Sequence, residues 1–183
     1  MEPKKAIVID DSSGCSHYVA KALQEKGYEV EEYISADEAL AALGFLNENE
    51  IPRSADDESC LRVTDWSGRG NPAAFPDLIV TDNDTDSFYS GVHVLKAMQG
   101  KGTALVMMSG GSGQSTLNIQ HHYAAEAQFV KKTDGRPRRD ELFAAIDAAQ
   151  IAAGEIKTKQ GQQVAIFEKL NLQQKEGGRG VPT

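Results

Sequence analysis

Apolar positions in this chain come in short continuous bursts, separated by stretches in which they recur every three or four residues. Residues 5–9 (KAIVI) form a nearly unbroken apolar run that stops at Asp10-Asp11, as a strand buried on both faces reads. Ser12 or Ser13 is placed to cap the next segment, where Tyr18, Val19, Ala22 and Leu23 repeat at helical spacing until Gly27. Tyr28–Tyr33 (YEVEEY) alternates and predicts a second strand. Ser35-Ala36-Asp37-Glu38 has capping-box spacing and opens a second helix through Ala39, Leu40, Ala42 and Leu43. Further strands are predicted at 77–81 (DLIVT), 104–108 (ALVMM) and 127–130, followed in turn by Asp82, Ser109 and Lys131-Lys132. Between them, Val92, Val94, Leu95 and Met98 predict a helix closed by Gly100 and Gly102, and 115–123 a weaker one. Pro137 suits a first helical turn, from which Leu142, Phe143, Ile146, Ala149 and Ile151 carry a last helix to about Ala153.

Strands that alternate with helices need crossover connections. The expected architecture is therefore α/β: a five-stranded parallel sheet in three layers, helices on both faces. Two segments stand outside the alternation. Residues 44–75 hold Asn47, Asn49, Pro52, Asp56, Asp57, Gly68, Gly70, Asn71 and Pro72, and are too long for an ordinary connection between the second helix and the third strand. Residues 154–183 are polar and rich in Gly and Gln; Val164, Phe167 and Leu170 suit a short amphipathic helix, and the last residues suit disorder. The expected division is one domain over 1–153, with 44–75 inserted, and a tail over 154–183.

Composition narrows the classes. With 19 basic and 27 acidic residues the net charge is −8, and no basic stripe marks a nucleic-acid surface, so nucleic acid is not an expected partner. No apolar run approaches the ~20 residues of a spanning helix, and the four apolar residues after Lys5 are too few for a signal peptide. Cys15 and Cys60 make neither a disulfide framework nor a zinc site, and His17, His93, His121 and His122 lack ligand spacing. The expectation is a cytoplasmic protein that does not engage membranes.

The candidate chemistry lies where the predicted strands end. Asp10-Asp11, Asp82, Ser109 and Lys132 follow the first, third, fourth and fifth strands. In an open parallel sheet those ends converge on the crevice where ligands bind. Three carboxylates gathered there repel one another, and a divalent cation such as Mg²⁺ removes the conflict. A lysine and a hydroxyl on the opposite rim would then handle an anion bound to the metal, a set suited to phosphoryl transfer.

These motifs, IVIDDS at 7–12, PDLIVTD at 76–82, ALVMMSG at 104–110 and FVKK at 129–132, resemble as an ordered set those of response-regulator receiver domains of bacterial two-component systems. The resemblance implies the flavodoxin-like (βα)5 receiver fold. It implies Asp82 as the acceptor of a phosphoryl group from a phosphohistidine, on a sensor histidine kinase or a histidine phosphotransfer protein. It further implies Mg²⁺ ligated by Asp11 and Asp82, with Asp10 acting through water and the backbone carbonyl of Asp84 as a third protein ligand. Ser109 and Lys132 would hold the phosphoryl oxygens, and Phe129 would rotate with the hydroxyl. The implied output is a changed surface that binds a downstream target protein, and the only catalysis is the domain's own phosphorylation and dephosphorylation. Phosphorylation adds ~1.5–2 negative charges to such a switch.

The chain also departs from that pattern. Asp86 stands where receivers usually carry proline, in a loop about one residue longer than usual, and Asp84 and Asp86 add negative charge that either raises metal affinity or, the favoured expectation, repels the phosphoryl group and shortens its life. Thr133 replaces the proline that normally follows the lysine; with a trans bond there, Lys132 is expected to be misplaced. Two alternatives follow. One is a pseudo-receiver, the same fold used as an interaction module independent of phosphorylation. The other is a haloacid-dehalogenase-like phosphatase, suggested by Asp82-Asn83-Asp84 but opposed by chain order, since the acidic pair comes first here. Arg136, Arg138 and Arg139 form a small basic patch for a partner or a solvated helix start, and Trp66 either anchors a contact or pins the insertion.

Overall fold

The central strands are apolar on both faces, and this divides the core in two. The structure, a computed structural model, describes residues 3–53, 63–85, 87–110 and 126–177, with 166–177 by backbone alone. Strand β1 (Lys4–Ile9) pairs in parallel with β2 (Tyr28–Tyr33) on one side and β3 (Leu78–Asp82) on the other. Beyond β3 lie β4 (Ala104–Ser109) and β5 (Gln128–Thr133), also parallel. Ile7, Ile9, Ile79, Leu105 and Met107 point to the layer of α2 (Ala36–Ala42) and α3 (Gly91–Met98). Their neighbours Ala6, Val8, Leu78, Val80, Val106 and Met108 point to α1 (Ser13–Glu25) and the last helix, α4 (Arg139–Gly177). The period of two in each strand is what lets one sheet seal two helical layers. The helix expected over 115–123 lies outside the described residues.

The strand count is six, not five. After Lys132 the chain runs on through Thr133, reverses at Asp134 and Gly135, and returns as β6 (Arg136–Pro137), antiparallel to β5. Asp134 (φ 54°) and Gly135 (φ 78°) both have positive φ, as a two-residue hairpin turn requires. Pro137 therefore pairs with Lys132 at the sheet edge, where a missing N–H costs nothing, and the first helical turn begins at Arg139 with Asp140 and Glu141 at its positive end.

The last helix does not stop near Ala153. It continues to Gly177, 39 residues or ~58 Å in all. Past Gly154 it lies against the α3–β4 turn, where the Gln160 amide donates to Gly100 O at 2.6 Å and the Lys157 stem packs on Gly102. No proline interrupts 138–177, so these contacts are enough to carry the helix through two glycines.

Much of 44–75 is folded onto α2 and α3. Phe45 stacks on Phe75 at 5.7 Å and meets Trp66 edge-on at 6.1 Å, while Arg69 grips Glu50 with both guanidinium nitrogens (2.7 and 2.9 Å). Trp66 is 5% exposed, which settles it as a pin for the insertion. A single 3₁₀ turn, Pro72–Ala74, leads into β3. Among the described residues no helix is long and apolar enough to cross a membrane.

Candidate functional site

Strand order β2-β1-β3-β4-β5-β6 means that the chain moves from β1 outward to β2, then crosses back to β3. The connection reverses between β1 and β3, and the carboxyl ends of those two strands flank the crevice of an open α/β sheet. Asp10 follows β1 and Asp82 ends β3, so the topology alone brings residues 72 positions apart to one rim.

Local geometry fixes their side chains. Asp10 turns the chain from β1 into α1 by accepting the Ser12 N–H on Oδ1 at 2.9 Å, while its own N–H donates to Tyr33 O at 3.1 Å. Its other oxygen, Oδ2, is fully buried and lies 2.8 Å from Lys132 Nζ, without the geometry of a hydrogen bond. Asp82 receives the Asn83 N–H on Oδ1 at 2.9 Å and Lys132 Nζ near Oδ2 at 2.8 Å. Asp11, exposed, completes a group in which one oxygen from each of Asp10, Asp11 and Asp82 lies within 4.8 Å of the others.

Lys132 is thus not misplaced. The described residues contain no cis peptide bond, and the ammonium still reaches both carboxylates because the hairpin extends β5 past the lysine and holds it in register with Pro137. Nor does it stand on an opposite rim; it lies between Asp10 and Asp82. Lys131, its neighbour, is exposed, as strand alternation requires. Ser109 ends β4, buried at 5% and paired in register with Lys131. Phe129 is half-buried, opposite Met107, against the core layer of α2 and α3. The Asp84 side chain is exposed and accepts from Asn83 Nδ2 at 2.9 Å, outside the group of three carboxylates.

The electrostatics follow from burial. Desolvation pushes the Asp82 carboxyl above the ordinary carboxylate range, and the bond from Lys132 opposes this without cancelling it. Desolvation also acts against the Lys132 ammonium, but the two carboxylates outweigh it and hold its pKa above the usual lysine value. Cys15, behind Asp10 on α1 and 1% exposed, has its thiol pushed up to about 12 by burial and then by a hydrogen bond to Asp10. With all groups charged, three carboxylates against one ammonium leave two negative charges, and oxygen donors of this kind suit a hard divalent cation. The donor set therefore fits Mg²⁺.

Other sequence candidates are accounted for elsewhere. The basic patch is paired within the chain: Arg138 with Asp140 (3.1 Å) and Glu141 (3.8 Å), Arg139 with Glu25, and Arg136 over the Tyr18 ring at 5.6 Å. His93 caps α3 by accepting the Ser90 N–H at 3.1 Å and packs on Tyr89; His17 is exposed. His121, His122, Cys60 and Asp86 lie outside the described residues. Gly91 and Asp37 escaped the sequence reading. A Cβ at Gly91 would stand 1.9 Å from Asp82 O, so α3 can begin against the site only with glycine. Asp37, read as part of a cap, sends its carboxylate across to Phe88 and Tyr89.

No family model matches the chain, and no curated protein matches it in sequence. Solved structures do match. The signal receiver domain of an HD domain-containing protein from Pseudomonas fluorescens Pf-5 aligns over 86% of this chain and 94% of its own, at 12% identity and TM-score 0.61. The signal receiver domain of a modulated diguanylate cyclase from Desulfovibrio desulfuricans G20 covers 86% and 99%, at 13% identity and TM-score 0.58. A CheY-like response regulator receiver domain protein from Methanospirillum hungatei JF-1 covers 86% and 99%, at 18% identity and TM-score 0.55. The fold is that of response-regulator receiver domains, α/β with a mostly parallel sheet.

Proposed function

We propose that this chain is a response-regulator receiver that accepts a phosphoryl group on Asp82 from a phosphohistidine donor, with Mg²⁺ bound beside it. The observation that supports this most is the placement of Lys132 Nζ at 2.8 Å from oxygens of both Asp10 and Asp82, with Asp11 completing the acidic group. Asp10, Asp11 and Asp82 would hold Mg²⁺, with the Asp84 carbonyl as a further donor. When bound, the ion neutralises charge between the acceptor carboxylate and the incoming phosphoryl group.

The chain's own residues do the rest. An Asp82 carboxylate oxygen attacks phosphorus; the P–N bond of the phosphohistidine breaks, and its electron pair returns to the imidazole, which takes up a proton. Lys132 lies against Asp82 and favours the ionised carboxylate that this step needs, opposing the desolvation that raises its pKa. Lys132 then shares its ammonium with a phosphoryl oxygen, and the Ser109 hydroxyl donates to another. Ser109 moving toward the phosphoryl group frees space at the end of β4, into which the Phe129 ring turns, altering the surface around β5. The donor would be a sensor histidine kinase or a histidine phosphotransfer protein in the cytoplasm, and the reader of that surface a downstream target protein.

Incubation of the purified chain with acetyl phosphate and Mg²⁺, followed by intact-mass measurement, tests the reading. One added phosphoryl group, lost in Asp82→Ala and absent when Mg²⁺ is chelated, is the expected result. No gain with acetyl phosphate or any phosphohistidine donor would leave the fold as a phosphorylation-independent interaction module.

A further inference from the structure

The loop between Asp82 and α3 begins and ends on Asp82 itself. At its start the Asn83 N–H donates to Met108 O and to Asp82 Oδ1, each at 2.9 Å. At its end Gly91 rests on the Asp82 carbonyl with no room for a side chain. Such a loop is closed at its base, and the charge of Asp84, close to that base, pushes it away from an acidic cluster.

Two contacts from elsewhere stop it. Asp37, more than fifty residues earlier in α2, accepts the Phe88 N–H on Oδ2 at 3.0 Å and the Tyr89 N–H on Oδ1 at 2.8 Å. The N-terminus of α2 does not depend on Asp37 for its cap, since Ser35 Oγ already accepts the Glu38 N–H at 3.2 Å. Tyr89, 0% exposed, is held by its ring: Trp66 of the insertion packs edge-on at 5.6 Å, and the Val63 N–H donates to the Tyr89 hydroxyl at 2.8 Å. Thr85 and Ser87 hydroxyls donate in turn to Tyr89 O, passing the fixed point back toward Asp84.

We propose that Asp37 is a positioning residue for the Asp82 site: through the backbone of Phe88 and Tyr89 it holds the loop that carries the Asn83 amide and the Asp84 carbonyl against the acidic cluster. The tether is independent of what the cluster does; its consequence for metal and phosphoryl binding rests on the function proposed above. A charge-assisted pair of bonds at a distance from the chemistry sets geometry and leaves the reacting atoms untouched, so its loss weakens binding without abolishing it.

The test compares the full-length wild-type chain with Asp37→Ala, Asp37→Asn and Glu38→Ala. Asp37→Asn keeps the side-chain shape and one acceptor, so it folds even where alanine loosens α2; Glu38→Ala removes a charge from the same helical turn without touching the loop. Amide spectra of the metal-free proteins should show Phe88 and Tyr89 resonances moving upfield in Asp37→Ala, with the Asn83 resonance displaced as well. Calorimetric Mg²⁺ titration should find affinity reduced about tenfold in Asp37→Ala, less in Asp37→Asn, and unchanged in Glu38→Ala. Labelling by acetyl phosphate should slow in the same order. An Asn83 resonance that stays in place in Asp37→Ala, or a Glu38→Ala protein that behaves like Asp37→Ala, would overturn the proposal. Failure of the wild-type chain to take up a phosphoryl group would sink the proposed function alone, because the amide spectra still decide the role of Asp37.

Discussion

Lys132 sits between two carboxylates that water reaches poorly, and each partner is tolerable only because the other is there. Removing the ammonium leaves Asp10 buried and uncompensated, a situation that typically costs about 3–5 kcal/mol. Lys132→Met is accordingly expected to lower the unfolding free energy measured by urea titration by an amount in that range, with Mg²⁺ restoring part of the loss. A variant as stable as wild type in metal-free buffer would mean that Lys132 does not compensate the buried carboxylates. Cys15 offers a second check on how closed this corner is. With its thiol pushed up to about 12 by burial and by Asp10, it holds almost no thiolate near neutral pH. In a Cys60→Ser background the folded chain should therefore leave a disulfide reagent such as DTNB unreacted until denaturant is added.

At the scale of elements, the β5–β6 hairpin holds Lys132 at the site although Thr133, not proline, follows it. Its turn depends on Asp134 and Gly135, both in the left-handed region that suits glycine and, less well, aspartate. Gly135→Ala should cost about 1–2 kcal/mol through backbone strain alone, since no atom stands within 4 Å of the new methyl group. Thermal unfolding measures that cost, and a reduced Mg²⁺ affinity in the same variant would show that the hairpin also aims the lysine. The Asp-Gly pair was a readable hairpin signal, yet Pro137 beside a helical pattern drew the boundary two residues early. The continuation of α4 was harder to foresee. Gly154 and a polar composition argue for an end near Ala153, whereas the contacts that extend the helix, Gln160 to Gly100 and Lys157 over Gly102, join segments about sixty residues apart.

The whole molecule shows why so much of the site was legible and why its supports were not. Strands buried on both faces must be apolar until they leave the sheet, so the first polar residue after each run marks its carboxyl end, and parallel topology gathers those ends. Asp10, Asp82 and Ser109 follow from that rule without any contact being known, and Lys132 follows once strand alternation turns Lys131 outward. Asp37, Gly91 and Tyr89 act through pairings across layers, which leave no periodic trace in the chain. The same assembly sets the response to pH. Burial raises the Asp82 pKa above the ordinary 3.8, so this group's contribution to the stability of the metal-free fold is fully present below that value and is lost as pH rises through the folded pKa. Lys132, raised in the fold, contributes fully below 10.5 and loses its contribution only above its own folded pKa. Mg²⁺ competes with protons for Asp82, so its stabilising effect should grow from acid toward neutral pH, reaching about 2.7 kcal/mol at a hundredfold excess over Kd. A metal-induced rise in Tm that is the same at both ends of that range would contradict the assignment of Asp82 as a ligand.

The chain has one tryptophan, and it faces the ring of Tyr89. Whatever tilts the backbone after Asp82 must change the surroundings of that indole, so the protein carries its own optical gauge. Titrating Mg²⁺ or a phosphoryl-mimicking fluoride complex while following emission would read the state of the acidic rim without any attached dye.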